Sequence, residues 1–205
     1  MAINVLKRFG KFFQRSPSSN DGNHTVFNSQ QHSLSQHKIS KHAREVIKVL
    51  QKNNFEAYAV GGCVRDLLLD LNPKDFDIAT NATPQQVKRL FRRSRIVGRR
   101  FQIVHVQFGR ELIEVTTFRS NNTSKNGKVQ QAESGLLTRD NMFGSIYDDA
   151  SRRDLSVNAL YYDTENNTLH DFCDGLEDLA KRKIRIIGNP ATRYSEDPVR
   201  LLRVL

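Results

Sequence analysis

The stretch that decides the fold runs from Ala59 to Leu69, Ala-Val-Gly-Gly-Cys-Val-Arg-Asp-Leu-Leu-Leu. Residues 55–60 have the pattern of a buried strand, and the Leu-rich residues 64–71 favour a helix. Gly61 and Gly62 therefore lie at a strand-to-helix turn, where glycine allows dihedral angles closed to other residues and a close approach to a ligand. The unpaired N–H groups and positive dipole end of the following helix favour an anion. The stretch predicts a phosphate-binding turn.

A pair of carboxylates follows in Asp75-Phe76-Asp77. Side chains alternate between the faces of a strand, so Asp75 and Asp77 are expected on one side, with Phe76 and Ile78 turned to the core. Two such aspartates suit Mg²⁺, which takes one or two carboxylates together with phosphate and water. Either motif alone is more often an ordinary turn or a solvated face. Their order and close spacing predict a site for nucleotide chemistry.

Composition limits the class of protein. The 205 residues allow one domain, or one and a half, with a sizeable core. The net charge of +10 favours an anionic partner, nucleic acid first and an acidic membrane surface second. Two distant cysteines, Cys63 and Cys173, argue against a disulfide framework or a zinc site and favour a cytoplasmic location. No apolar run approaches the ~18 residues of a membrane-spanning helix.

The N-terminal residues differ from the rest in composition. In residues 1–15, a helical face beside basic residues is shared by Val5, Phe9, Phe12 and Phe13. Three interpretations stay open: a weak membrane-surface helix, a frayed arm and a docking segment. Residues 16–36 are rich in Ser, Asn, Gln and His and leave little to bury, which predicts disorder. We therefore expect residues 1–38 to be a basic, largely disordered arm.

The ordered domain is expected to begin near Ser40, which can cap a helix with apolar residues at helical spacing. Thr83-Pro84 marks the start of a second helix. Residues 103–108 and 111–118 form a predicted hairpin, and the polar residues 120–138 favour a flexible loop. This order predicts an α+β fold, a head built on a small mixed sheet flanked by helices.

A third carboxylate, Glu114, lies on the second strand of this hairpin. A buried lone carboxylate is costly unless it is paired or bound to a metal. Beside the strand of Asp75 and Asp77, Glu114 would complete a three-carboxylate cluster. The alternative is a solvated edge of the hairpin.

An arginine pair, Arg152-Arg153, precedes Asp154. The guanidinium fork of arginine binds phosphate oxygens bidentately, which suits a triphosphate. Asp154 and Asn158 are four residues apart, so on a helix they would point together toward a ribose. Alone, such a group is usually a surface salt bridge.

The last cluster lies in residues 195–203. Asp197 is predicted to cap a helix that has Pro198 at its first position. Arg200 and Arg203 would then lie one turn apart on one face. An acid with an arginine three residues later could recognise the edge of a base, although an ordinary capped helix start has the same pattern.

From about residue 39 to its end the chain resembles the catalytic head of class II nucleotidyltransferases, the family of bacterial poly(A) polymerases and tRNA CCA-adding enzymes. The matching motifs are Gly61-Gly62-x-x-Arg65-Asp66, Asp75-x-Asp77, Arg152-Arg153-Asp154 with Asn158, residues 171–179, and Glu196-Asp197-x-x-Arg200. The double arginine in residues 97–106, with residues 143–146 and 182–194, resembles the poly(A) polymerase version.

This resemblance implies template-independent transfer of AMP from ATP to RNA 3′ ends, with release of pyrophosphate. It implies two Mg²⁺ ions held by Asp75 and Asp77, further catalytic residues at Glu114 and Asp154, and RNA bound through its phosphates without sequence readout. The nucleotide-binding residues that it implies are Gly61, Gly62, Arg65, Arg119, Arg152, Arg153, Asn158, Asp197, Arg200 and Arg203, of which the last three would select adenine.

Members of this family continue into all-helical neck, body and tail domains. We therefore expect a head at residues 39–180, the start of a truncated neck at 181–205, and a chain that is a fragment. Two alternatives remain: a CCA-adding tRNA nucleotidyltransferase, and a non-catalytic basic RNA-binding remnant. The intact Asp75, Asp77 and Arg152-Arg153-Asp154 argue against the remnant.

Overall fold

The computed structural model describes residues 18–19, 24–99, 101–120, 130–131, 137–139 and 143–203. The strands are β1 (Ser18–Ser19), β2 (Thr25–Phe27), β3 (Ala57–Val60), β4 (Asp77–Thr80), β5 (Ser94–Val97), β6 (Ile103–Phe108), β7 (Glu111–Thr117), β8 (Gln130–Gln131), β9 (Leu137–Arg139), β10 (Leu160–Asp163) and β11 (Thr168–Asp171). The helices are α1 (Lys41–Lys52), α2 (Gly62–Leu68), α3 (Pro84–Leu90), α4 (Ile146–Arg152), α5 (Gly175–Ala180), α6 (Pro190–Glu196) and α7 (Val199–Leu202). Short 3₁₀ turns cover Gln36–Lys38 and Ser156–Asn158.

Nine of the described strands form one mixed sheet in the order β1-β2-β11-β10-β3-β4-β7-β6-β5, and β8 pairs with β9 separately. Strands β4 and β7 are parallel, and the other pairs in the described ranges are antiparallel. The predicted α+β fold with a mixed sheet is confirmed. The sheet is larger than expected because β2, β10 and β11 extend it beyond β3.

Local signals fix two of the helices as predicted. The Ser40 hydroxyl accepts a hydrogen bond from the N–H of Ala43 at 3.1 Å and caps α1. Thr83 and Gln86 form a capping box at the start of α3, with Pro84 at the first helical position. Both helices bury their apolar sides against one face of the sheet.

The sheet buries apolar side chains on both faces. The larger cluster joins α1, α2 and α3 to one face, and its members include Val46, Ile47, Leu67, Ile78, Val87, Val104 and Val115. The smaller cluster lies on the other face and consists of Val60, Ala79, Phe118, Ala150, Tyr161 and Phe172. Asp77 and Glu114 belong to this second face, because they are in register on β4 and β7 and alternate with Ile78 and Val115.

The prediction of disorder for residues 16–36 is wrong for residues 24–36. Strand β2 pairs with β11 in an antiparallel register, and Gln31, His32 and Leu34 are buried. The physical reason is that the partner strand β11 lies more than a hundred residues further along the chain, so local composition does not show it. Residues 1–15, the predicted membrane-surface segment, and most of the predicted loop 120–138 lie outside the described residues. The domain boundaries at residues 38 and 180 stay predictions.

Buried polar contacts tie residues 181–187 to the head. The Asp178 carboxylate accepts hydrogen bonds from the Ser156 hydroxyl at 2.6 Å and from Nε of Arg185 at 2.7 Å. The N–H of Ile187 donates to the carbonyl of Asp154 at 2.9 Å. The segment that leads into α6 is therefore held against the turn after α4. In the ranges given above, no helix has the length and apolar character needed to span a bilayer.

Candidate active site

The Gly61 turn lies beside two charged side chains, those of Asp77 and Arg153. Gly61 links β3 to α2 with a φ of +80°, a backbone angle that residues with a side chain rarely adopt. A Cβ at this position would lie 3.5 Å from Nη1 of Arg153 and 4.0 Å from Oδ2 of Asp77. The predicted strand-to-helix turn is confirmed, with the helix starting at Gly62. The backbone here approaches both a carboxylate and a guanidinium.

Asp77 is the first residue of β4 and faces Glu114 of β7 across the parallel pair. Asp75 precedes the strand and is exposed, so the strand begins two residues later than predicted. Burial raises the pKa of Asp77, and the negative charges of Glu114 and Asp75 raise it further against the opposing charge of Arg153. An acid surrounded in this way gains stability from an added cation.

Glu114 also faces His105 of β6, with 3.4 Å between its Oε1 and the imidazole Nε2. In the part of the chain that the structure describes, no three or more His, Cys, Asp and Glu side chains are arranged to hold a metal ion. The structure does bring the three predicted carboxylates together, since Glu114 is in register with Asp77 and the charges of Glu114 and Asp75 both raise the pKa of Asp77. The role of these residues as metal ligands stays a prediction.

Arg153 belongs to a polar network beneath the turn. Its Nε donates to the Tyr161 hydroxyl at 2.9 Å, and its Nη2 donates to the Asp149 carboxylate at 3.2 Å. The Tyr161 hydroxyl donates to the same Asp149 oxygen at 2.7 Å. Burial alone would lower the pKa of Arg153, but Tyr161 and Asp149 outweigh it and raise the pKa above its ordinary value. Arg153 therefore keeps a fixed positive charge next to Asp77.

Arg65 and Asn158, two predicted nucleotide-binding residues, contact each other. Nη1 of Arg65 donates to the Asn158 side-chain oxygen at 2.8 Å, and its Nε and Nη2 donate to Asp66. Gly62 lies beside this guanidinium, since its Cβ would be 3.6 Å from Nη2 of Arg65. The first turn of α2 thus presents a positioned arginine next to the Gly61 turn.

Asp154 and Asn158 do not share a helix, but their side chains do meet as predicted, because a hydrogen bond from Asn158 contributes to lowering the pKa of Asp154. Helix α4 ends at Arg152, and Asn158 ends the 3₁₀ turn Ser156–Asn158. Burial would raise the pKa of Asp154, but the hydrogen bond from Arg203 outweighs it and lowers the pKa below its usual value. Nη1 of Arg203 lies 2.8 Å from the Asp154 carboxylate, so Asp154 anchors the C-terminal helix.

An arginine cluster, made of Arg119, Arg152, Arg193 and Arg200, lies beyond Arg153. Burial lowers the pKa of Arg152 to about 10, and the charges of the other three arginines contribute to this shift. Arg193 donates to the main-chain carbonyls of Arg152 and Arg153, the latter at 2.8 Å. Glu196 accepts from Nη1 of Arg193 at 3.0 Å and from Nη1 of Arg200 at 3.1 Å. So many like charges around one acid suit a polyanion.

The prediction that Asp197 caps a helix with its side chain is wrong. Asp197 ends α6, and α7 begins after Pro198 without a side-chain cap. Its main-chain carbonyl accepts from the N–H of Arg200 at 3.1 Å. The reason is the extended conformation of Asp197, which has a φ of −153° and breaks one helix before the next begins. Arg200 and Arg203 then contact different partners, Glu196 and Asp154.

Four residues that shape the site were absent from the predicted set: Asp149, Tyr161, Arg193 and Glu196. Helical spacing could have indicated three of them, since Asp149 precedes Arg153 by four residues and Glu196 lies between Arg193 and Arg200. No sequence signal connects Tyr161, on β10, to this network.

The residues present fit a divalent cation with a nucleotide triphosphate. The carboxylates of Asp75 and Asp77 are hard oxygen donors. Mg²⁺ usually takes one or two protein carboxylates and fills its other coordination positions with substrate phosphate and water. The arginine cluster is a candidate for the opposite charge that such a phosphate requires.

A mixed sheet with this turn and these facing carboxylates defines a nucleotidyltransferase head. A comparison with protein families matches residues 57–185 to the poly A polymerase head domain, and the chain belongs to this family.

Curated relatives agree with this family. The chain is 51% identical over 181 residues to poly(A) polymerase I of Haemophilus influenzae, covering 87% of this chain and 40% of the relative. It is 52% identical over 184 residues to poly(A) polymerase I of Salmonella typhi, covering 88% and 40%. A CCA-adding enzyme of Staphylococcus aureus is 38% identical over 168 residues, covering 82% and 40%. The chain thus spans about 40% of the length of these relatives.

Among solved structures, the CCA-adding enzyme of Bacillus stearothermophilus in complex with CTP superposes with a TM-score of 0.64 at 34% identity, covering 78% of this chain and 36% of that one. The CCA-adding enzyme of Thermotoga maritima complexed with tRNA has a TM-score of 0.57 at 25% identity, covering 82% and 37%. The chain's sequence identity is higher to the poly(A) polymerases, at 51–52%, than to the CCA-adding enzymes, at 25–38%.

Proposed function

We propose that this chain is the catalytic head of a template-independent adenylyltransferase, which transfers AMP from ATP to RNA 3′ ends and releases pyrophosphate. The observation that carries the proposal is the meeting of Gly61, Asp77 and Arg153 at one turn. The 51% identity to a poly(A) polymerase I supports adenylyl transfer over the related CCA addition.

The cation site of this proposal is the carboxylate pair. Asp75 and Asp77 would hold Mg²⁺, and the bound ions would lower the pKa of the RNA 3′ hydroxyl and neutralise charge on the triphosphate. Glu114 adds negative charge at the same face through its register with Asp77. Burial and the charges of Glu114 and Asp75 raise the pKa of Asp77, so a cation bound there would relieve their repulsion.

The chain's own residues orient the nucleotide in this proposal. Arg152 and Arg200 offer guanidinium groups to the triphosphate, and Arg193 holds the main chain of Arg152 in place. Arg65, fixed by Asn158, contacts the nucleotide beside the glycine turn. Asp197, Arg200 and Arg203 would select adenine, and Arg203 would leave the Asp154 carboxylate, which it contacts in this structure, to do so. In-line displacement needs such positioning and charge neutralisation more than covalent help from the protein.

The decisive experiment is extension of a short RNA with Mg²⁺ and one nucleotide at a time. We expect adenosine addition with ATP and a loss of about 10³-fold or more in the Asp77→Asn variant, because a positioned charge that acts in the transition state is removed. The melting temperature of the variant should not fall, because a half-buried carboxylate facing Glu114 is replaced by a neutral amide.

Lys48→Gln, on the exposed side of α1, is the matched control and should extend RNA like the unaltered chain. Addition of C followed by a single A would favour the CCA-adding alternative. Equal extension by the Asp77→Asn variant and the unaltered chain would contradict the proposed site.

A further inference from the structure

One face of the sheet carries four side chains in a continuous register row that ends at the candidate active site. Arg95 of β5 faces His105 of β6, His105 faces Glu114 of β7, and Glu114 faces Asp77 of β4. Directly paired residues of neighbouring strands point to the same face. The row therefore leads from the carboxylates to the edge strand β5 over three strand spacings, about 14 Å in all.

A groove opens along the basic end of this row, with a volume of about 430 Å³. Its lining includes Arg92, Arg93, Arg95, His105, Gln107 and Leu112. The three arginines and Gln107 are exposed, whereas Val104 and Val106, which point to the opposite face, are buried in the larger core cluster. This part of the second face is thus a polar surface directly beside the carboxylates.

The groove has an unbalanced charge. From residue 78 to residue 110 the sequence contains no Asp or Glu. The same segment contains eight basic residues, Lys88, Arg89, Arg92, Arg93, Arg95, Arg99, Arg100 and Arg110. Within the described ranges no carboxylate forms an ion pair with Arg92, Arg93 or Arg95. Three exposed guanidinium groups without acidic partners form a binding surface for an external polyanion.

We propose that Arg92, Arg93 and Arg95 form a primer strip, which binds the phosphodiester groups just upstream of the reacting RNA 3′ end. The inference rests on the proposed function and deepens it by assigning the path of the RNA. The direction follows from the row: the terminal hydroxyl must reach Asp77, and the phosphates behind it need cations. Because arginine and backbone phosphate carry no base information, the strip binds RNA without regard to sequence.

RNA fits this surface better than a membrane does. A membrane-surface segment presents large apolar side chains beside its basic ones. The large hydrophobic residues that are exposed in the described ranges, among them Phe143, Tyr147 and Leu202, belong to other parts of the chain. His105 and Gln107 add hydrogen-bonding groups within the groove, as contacts to a sugar–phosphate backbone require.

The test compares two triple variants with the same loss of charge. Arg92→Gln/Arg93→Gln/Arg95→Gln removes the strip, and Lys41→Gln/Lys48→Gln/Lys52→Gln removes three exposed cations from α1. Binding of a fluorescent single-stranded oligoadenylate is measured by anisotropy between 50 and 200 mM salt. Affinity that comes from phosphate contacts falls steeply over this range. Equal melting temperatures establish that both variants fold, which is expected because all six side chains are exposed.

We expect the strip variant to bind the RNA about tenfold or more weakly near 0.1 M salt. The slope of log affinity against log salt should become about 2 less steep. Each of the three lost single-strand phosphate contacts contributes ~0.7 to its magnitude. The α1 variant should keep the slope of the unaltered chain. Affinity for Mg·ATP, measured separately, should be the same in all three proteins, because the strip holds the primer and not the nucleotide.

Equal RNA affinities and slopes in the two triple variants would overturn the primer strip, as would undetectable RNA binding by the unaltered chain. A loss of ATP affinity without a loss of RNA affinity would overturn it and assign these arginines to the nucleotide. Binding to anionic phosphatidylserine vesicles is measured as well, and a loss of vesicle binding alone would assign the arginines to a membrane. Strip-dependent RNA binding by a chain that adds no AMP would contradict the proposed function and leave the strip standing. AMP addition by the unaltered chain, together with unaltered RNA binding in the strip variant, would support the proposed function and contradict the primer strip.

Discussion

At the scale of single residues, the site depends on one backbone conformation. Gly61 has φ +80° and ψ −137°, a combination almost reserved for glycine, and a Cβ added there would lie within 4.0 Å of both Arg153 and Asp77. The paired glycine and the following Arg-Asp were enough to predict this turn. The geometry of Asp154 was not predictable, because its partner Arg203 comes from a segment 49 residues further along the chain.

A Gly61→Ala substitution should therefore destabilise the protein by about 1–3 kcal/mol, the usual cost of holding a side chain in such a backbone region. Urea-induced unfolding measures this change. Gly62→Ala is the matched control, since its φ is not positive and its new Cβ would make only an ordinary contact with Arg65 at 3.6 Å. Its effect should stay within about 0.5 kcal/mol. Similar losses in both variants would show that the Gly61 conformation is not the cause.

At the scale of strands and helices, β2 adds to the sheet an interaction that composition did not indicate. Nε2 of His24, just before β2, lies 3.1 Å from Nδ1 of His170 on β11, and the His24 ring stacks on Phe172. Helices α1 and α3 were predictable because Ser40 and Thr83 cap them locally. Strand β2 was not, because a three-residue strand is stabilised by its partner and not by its own sequence.

This histidine pair should make the stability of the fold sensitive to acid. Burial, then the neighbouring His24, lower the pKa of His170 to about 4, with Asp163 acting in the opposite direction. Burial also lowers the pKa of His24. Between about pH 6.5 and pH 4 the unfolded chain binds more protons than the folded one, so stability falls as the pH falls. Above about pH 7.5 the histidines are neutral in both states and this contribution is constant.

Urea unfolding at pH 7 and pH 5 should show a loss from His170 of at most about 2 kcal/mol. His170→Gln should reduce the difference between the two pH values, whereas His37→Gln, at an exposed position, should leave it unchanged. An identical pH dependence in the His170→Gln variant would refute the role of this pair.

At the scale of the whole molecule, exposed and half-buried arginines gather in two basic regions, the arginine cluster and the primer strip, apart from the carboxylates. Asp77 and Glu114 form a negative centre that is in register with His105 and Arg95 on one side, and Arg153 is the cation that acts on Asp77. The net charge of +10 indicated a polyanionic partner, and the motifs indicated the carboxylates. Their common face could not be derived from sequence, because β4 and β7 are brought together by a parallel pairing across 37 residues.

The arginine cluster predicts that a triphosphate stabilises the entire chain. Inorganic tripolyphosphate at about a hundred times its Kd should add about 2.7 kcal/mol and raise the melting temperature. Arg152→Gln should reduce this gain, while Arg110→Gln, at the exposed hairpin turn, should not. Calorimetric scans at constant ionic strength separate specific binding from screening. Equal gains in the two variants would argue against Arg152 as a phosphate ligand.

The register row from Arg95 to Asp77 also restricts which changes of chain length the protein tolerates. In β7, Ile113 and Val115 face the core while Glu114 faces the carboxylate side. Insertion or deletion of one residue within this strand would exchange the two sets, burying an acid and exposing valine and isoleucine. The open hairpin turn at Gly109 has no such constraint. Length variation in natural and selected sequences should therefore collect at that turn and spare the strand, so that an insertion scan would trace the row without any assay of catalysis.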